Sequence, residues 1–349
     1  MLGDAARAQT VRSIAAAQTD RGVVPWVPGG KWDPWDHVEC AMALDTGGLH
    51  AEALAAYRHL ARTQRHDGAW ACPIVGGDRS TEVLDSNAAT YIATGAWHHY
   101  LCTHDEGALH ELWPVVERGI DFTLDLQMPS GAIAWARNLK GEAGDHALLA
   151  GCSCIVINIR SALQVAHKLG ETKPDWELSL SSLVDSIRDG DHLFADRSRY
   201  SMDWYYPLLS GVLEGNAVRA RVAERWDTFV VEGLGARCVD DRPWITSAET
   251  AELCIALHTY GLTDEAASLF DWIQYQRLDD GSYWTGATFP DGRNFPNERT
   301  TWSAAAIVLA NDVMTGRGPI AEIFSGEALA PLPTGQTPAR AAFAPVPRE

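Results

Sequence analysis

The chain has no uninterrupted apolar run close to the roughly 18 residues that a membrane-spanning helix needs. Its N-terminal stretch, MLGDAARAQTVRSIAAAQ, lacks the continuous apolar core of a secretory signal, so a cytoplasmic location is expected. Basic residues are scarce: 28 Lys and Arg stand against 46 Asp and Glu, a formal charge of −18. Nucleic acids and anionic membrane surfaces are held by clustered Lys and Arg, and neither is an expected partner. Cysteine occurs seven times, at 40, 72, 102, 152, 154, 238 and 254, an odd and scattered set that fits reduced thiols. Cys152 and Cys154 have no second pair at metal-ligand spacing, so no metal and no cofactor is expected. Alternating strand patterns are wanting too. IVINI at 155–159 is the main ambiguity, and its continuation SALQVAHKLG favours helix.

What the chain does have is a repeat. Gln18 to Trp26 reads QTDRGVVPW, Gln64 to Trp70 QRHDGAW, Gln127 to Trp135 QMPSGAIAW and Gln276 to Trp284 QRLDDGSYW. A Gln closing a helix, a turn on Gly and a Trp soon after mark a supersecondary unit that buries its apolar face only against its neighbours. Splitting the chain on this pattern predicts outer helices near 3–17, 49–63, 109–126, 174–187, 216–231 and 263–275. Inner helices follow near 35–45, 85–101, 153–168, 203–213, 247–259 and 298–312. The outer set, as in AEALAAYRHLARTQ, is amphipathic, whereas the inner set, as in TTWSAAAIVLA, is apolar and small and should be buried on most sides. Six hairpins with no polar capping repeat at either end predict an all-α, closed (α/α)6 barrel over residues 1–315. Residues 316–349, rich in Pro and Ala, read as an irregular tail.

Five of the six loops bring a carboxylate to the start of an inner helix. The first unit offers Asp33, Asp36 and Glu39 around Trp35, the second Asp85, the fourth Asp203, the fifth Glu249 and Glu252, and the sixth Glu298 beside Arg299; the third has only CSC. Each acid has an ordinary explanation, since a carboxylate in a first helical turn is favoured by about 1 kcal/mol through capping and the helix dipole. Glu249 has the weakest such excuse, because Ser247 is the better cap. Of the 14 Trp, Trp26, Trp70, Trp135 and Trp284 suit packing between repeats, although Trp284 also falls in the candidate binding set. Trp32, Trp35 and Trp204 sit beside the acids, where flat rings stack on sugar faces.

Acids and aromatic rings at one rim suit cleavage of a glycosidic bond, which needs one carboxyl to protonate the leaving oxygen and another to activate water or attack carbon. In a six-membered ring, units one and five lie two places apart. Asp36 and Glu249 are therefore the expected catalytic pair, with Glu249 as acid and Asp36 as base. The expected substrate-binding set is Trp32, Asp33, Trp35, His37, Asp85, Asn87, Tyr91, Asp203, Trp204, Tyr205, Glu252, Trp284, Glu298 and Arg299. An oligo- or polysaccharide is the expected partner.

The segments WDHVECAMAL, LDSNAATYIATGAWHHYLCTHD and NERTTWSAAAIVLAND resemble the (α/α)6 glycoside hydrolases related to glucoamylases. More narrowly, the run from about 10 to 312 resembles an actinobacterial group of cytoplasmic endo-acting α-mannosidases. That resemblance implies cleavage of internal α-(1→4) mannosidic bonds in a partly methylated mannan. The QxxxGxW loops also resemble squalene and prenyl cyclase-like repeats. An isoprenoid enzyme is one alternative, although no DxDD run is present and VDDRP at 239–243 does not match it. A non-catalytic carbohydrate-binding protein is the other.

Overall fold

The computed structural model describes residues 1–72 and 83–324. Helices alternate between an outer and an inner layer along the chain: α1 (Asp4–Ala15, outer), α2 (Pro34–Thr46, inner), α3 (His50–Thr63), α4 (Ser86–Thr103), α5 (Glu106–Leu124), α6 (Leu149–Leu169), α7 (Pro174–Asp189), α8 (Ser201–Leu209), α9 (Asn216–Phe229), α10 (Ser247–Thr259), α11 (Thr263–Trp272) and α12 (Thr301–Thr315). Each inner helix packs on the next, and α12 packs back on α2, which closes the ring. The (α/α)6 barrel expected from the repeat is what the chain forms. Strands are short and peripheral. β1 (Ala71–Cys72), β2 (Val83–Asp85) and β3 (Ala136–Asn138) make one antiparallel sheet; β4 (Val230–Val231) pairs β5 (Gly235–Ala236), and β6 (Trp244–Thr246) pairs β7 (Gly286–Thr288).

The repeated loop is a joint between units. Gln64 donates through Nε2 to Gly68 O and to Val115 O of the next outer helix, both at 2.9 Å. Gln127 repeats this on Gly131 and Ser179, and Gln18 on Gly22 and Glu52. The turn must be glycine: at Gly68 φ is +95° and a Cβ would lie 2.0 Å from Arg118 O on α5. Gly281 does the same against Gln9 of α1, where Arg277 also donates to Gln9 Oε1 at 2.7 Å, so the last unit is joined to the first. Of the motif tryptophans, Trp70 is buried and donates to Leu60 O at 3.2 Å, which is the packing role expected of it.

Two expectations need correction. Helix α6 has a mean hydropathy of 1.5 over an 18-residue window, enough by composition to cross a bilayer; 78% of that window is buried inside the protein, because an inner helix meets neighbours on all sides. Within the stretch read as an irregular tail, Ile320–Phe324 forms a short helix, α13, with Ile320 and Ile323 buried. It touches α4, α6, α10 and α12, and so fills the foot of the ring. The remainder of that stretch, 325–349, lies outside the described residues.

Candidate active site

Because every outer-to-inner loop lies at the same rim, the first turns of the inner helices converge there. Asp33 is the N-cap of α2, accepting from Asp36 N at 3.0 Å and from Trp26 Nε1 at 2.8 Å. Each of its oxygens thus takes a hydrogen bond from within the protein. Asp36, one turn in, is 8% exposed, and its Oδ2 is buried with no hydrogen-bond partner. Burial pushes its pKa well above the ordinary carboxylate range, and the charges of Asp33, Glu39 and Glu252 push the same way against Lys31. Glu249 holds the matching place on α10 at 5% exposed. Cys238 lies against it, and burial followed by the charge of Glu249 pushes that thiol up.

One turn deeper on each of these two helices sits a second acid. Glu39 accepts from Trp35 Nε1 at 2.9 Å, Tyr91 OH at 2.8 Å and Trp302 Nε1 at 2.6 Å. Glu252 accepts from Tyr205 OH and, at 3.0 Å, from Tyr206 OH. Burial raises both pKa values, most strongly for Glu252; the charge of Glu39 adds to the rise at Glu252 and that of Asp33 to the rise at Glu39. Trp35 stacks on Tyr91 with ring centroids 5.5 Å apart and meets Tyr206 edge-on. Glu39, Tyr206 and Trp302 were not in the expected set. The signal for Glu39 was its i+3 spacing from Asp36, which puts both on one helix face; nothing in the sequence pointed to Trp302, which arrives across the ring's seam.

Trp35, Asp85, Asn87 and Asp203 line a cavity of about 270 Å³ between α4, α6 and α8, together with Trp135, Leu148, Gly151, Ile155, Arg197, Tyr200 and Met202. Asp85 caps α4, accepting from Ala88 N at 2.9 Å, and Asp203 accepts from Ala150 N of α6 at 3.2 Å. Burial raises each to about 6, offset in part by those bonds. Trp135, expected only to pack, lines this cavity while stacking on His146.

Other expected binding residues are used differently. His37 is fully buried, with Nδ1 accepting from Val24 N at 3.1 Å and Nε2 set 3.0 Å from Ala56 O; its pKa falls to about 4 through burial. Trp32 packs on His37 and His59. Trp204 is in the core, stacked on Phe229 and donating to Arg221 O at 2.6 Å. Tyr205 is fully buried and serves Glu252. Glu298 and Arg299 are exposed on the β7–α12 loop, where Arg299 pairs with Asp280 at 3.1 Å and lies over the half-buried Trp284.

Buried acids with raised pKa values at the rim of a helical barrel, with a flanking cavity of about 270 Å³, fit glycosidic chemistry, and the comparison with known proteins agrees. The chain is 48% identical over 318 residues to the MMP endo-(1,4)-3-O-methyl-alpha-D-mannosidase of Mycolicibacterium hassiacum, a match covering 91% of this chain and 88% of the relative. The chain belongs to that mannosidase family. It is therefore a glycoside hydrolase, and the isoprenoid and binding-only alternatives fall away. No family model matches the chain. Among solved structures, the GH63 mannosylglycerate hydrolase of Thermus thermophilus in complex with glucose superposes with a TM-score of 0.66 at 13% identity, over 87% of this chain and 99% of that one. A rhamnosidase of Klebsiella oxytoca with rhamnose bound gives 0.59 at 14% identity, over 88% of this chain; the chain spans 64% of that protein's length. At such identities these likenesses show the fold alone, and the fold they share with this mannosidase family is the helical barrel.

Proposed function

We propose that the protein cleaves internal α-(1→4) mannosidic bonds of a cytoplasmic, partly methylated mannan and releases short mannooligosaccharides with inversion, Asp36 acting as general acid and Glu249 as base. The substrate is that named for the family relative. The observation that carries the roles is the state of Asp36: buried, with Oδ2 unpartnered and three carboxylates around it. Such surroundings favour the protonated form, which is the form a general acid needs. This reverses the order expected from sequence, which put the acid on Glu249. A wide separation of the pair is supported by the ring, in which α12 stands between α2 and α10; inversion needs roughly 6.5 to 9.5 Å so that a water fits. Cys40, Cys102, Cys152, Cys154, Cys238 and Cys254 are free thiols, which fits a reducing compartment.

In this reading the Asp36 proton passes to the glycosidic oxygen as the bond to the anomeric carbon breaks. Glu249 takes a proton from the water that attacks that carbon from the opposite face. Proton exchange with solvent then resets both groups. Cleavage of α-1,4-mannooligosaccharides followed by proton NMR of the fresh product tests the outcome: the β-anomer should appear first, and an α-anomer overturns inversion. The roles are tested with an α-mannoside carrying a dinitrophenyl leaving group, which departs without a proton. Asp36→Asn should recover much of its lost rate on it and Glu249→Gln should not; the opposite pattern returns the acid to Glu249.

A further inference from the structure

The cavity beside Trp35 has two unlike kinds of lining. One carries the carboxyls of Asp85 and Asp203, each spending one oxygen on a helix N-terminus and keeping acceptor capacity for hydroxyls. The other is apolar, Ile133, Leu148, Gly151, Ile155 and Met202, while Trp135, Arg197 and Tyr200 line the cavity as well. Three of the polar hydrogens beside these residues are used within the protein: Ala150 N goes to Asp203, Cys152 N to Leu148 O at 2.8 Å, and Cys152 Sγ to Ile133 O at 3.4 Å. A sugar hydroxyl set against these apolar side chains would give up water for little in return, whereas a methyl ether has no hydrogen to satisfy and gains apolar contact.

We infer that this cavity is the subsite that reads substrate methylation, its apolar lining receiving the O-methyl group of a mannose ring while Asp85 and Asp203 hold hydroxyls. The inference rests on the mannosidase reading above and adds to it the residues that select methylated over bare sugar. Met202, at the start of α8, is half-buried and unbranched, and Gln has nearly its length, so Met202→Gln changes polarity with little change of shape. Gly151 offers a second handle. A Cβ there would meet Leu148 Cβ at 3.7 Å and Asn87 Cβ at 3.9 Å, ordinary contacts, so Gly151→Ala folds while taking space from the cavity.

The experiment compares kcat/KM on two α-1,4-mannooligosaccharides of equal length, one bare and one 3-O-methylated. The unaltered protein should favour the methylated chain by about tenfold or more, the usual scale for a methyl-sized group in an apolar pocket. Met202→Gln and Gly151→Ala should each bring the ratio toward one, with circular dichroism confirming the fold. Equal kcat/KM on the two sugars, or a ratio untouched by both variants, overturns the subsite while leaving the mannosidase reading intact. Cleavage of neither sugar overturns the reading, and the subsite with it.

Discussion

Helix α2 carries a buried aspartate at each end, and the two are treated in opposite ways. Asp45, at the foot of the barrel and 1% exposed, accepts from Tyr57 OH at 3.2 Å and faces His99 Nδ1 at 2.8 Å and His50 Nδ1 at 3.1 Å. Asp312, its neighbour across the seam, is fully buried and is held by Arg7 Nε at 2.6 Å and Thr46 Oγ1 at 2.7 Å. Asp36 at the rim is almost as buried and has an oxygen with no partner. Burial alone therefore does not tell a structural acid from a reactive one in this protein; the partners do. The foot of the ring satisfies its carboxyls, and the rim leaves Asp36 poised at a cost in stability.

The contrast can be broken most sharply at the rim. Asp36→Asn and Glu249→Gln should each lower kcat on mannooligosaccharide by about a hundredfold or more, the scale of a lost acid or base. Asp36→Asn should also raise the thermal midpoint at neutral pH. The folded carboxyl keeps a proton that the unfolded chain has released, so this group weakens the fold as pH rises above the unfolded pKa, and Asn removes that penalty. A midpoint that falls would place Asp36 with the satisfied acids. At the foot, Arg7→Met should do the reverse: it strands Asp312 in the core and should cost about 3 kcal/mol in denaturant unfolding, with kcat unchanged.

Asp85 lies between these extremes, because it caps a helix and also lines the cavity. With its folded pKa raised to about 6, Asp85→Asn should stabilise the protein by about 3 kcal/mol at pH 8, since Asn still caps. The gain should shrink as pH falls below 6 and vanish by about pH 3, where folded and unfolded carboxyls both hold the proton. A pH-independent effect would show that the carboxyl's environment is not the cause. The smallest change belongs to the exposed loop. Arg299→Ala breaks a solvent-screened pair with Asp280 and should move unfolding by less than ~0.5 kcal/mol; a larger loss would mean the pair anchors Trp284.

The barrel was legible because the QxxxGxW joint recurs and the two helix classes differ in polarity. Boundaries slipped where the local signal was poor: α6 begins at Leu149 rather than near 153, and α12 at Thr301 rather than 298. The rim acids were legible by position, but neighbours in sequence were read as neighbours in space. His37 and Trp204 each follow a rim acid by one residue, a rotation of about 100° that turns them from the cavity into the interhelical packing. Which carboxyl keeps its proton depends on charges and donors from other helices, and no local pattern records that.

Ring closure has a consequence for the order in which the chain matures. Glu39 on α2 receives one of its three donors from Trp302, 263 positions later, and α2 stays open on one flank until α12 docks. Contacts of such sequence separation form slowly, because a long loop must be closed before they stabilise anything. As the chain leaves the ribosome, α2 is made early and completed late. Catalytic competence is thus tied to the last inner helix, and a polypeptide cut short before α12 would carry Asp36 on a helix with an apolar flank uncovered, a form suited to chaperone capture rather than to sugar cleavage.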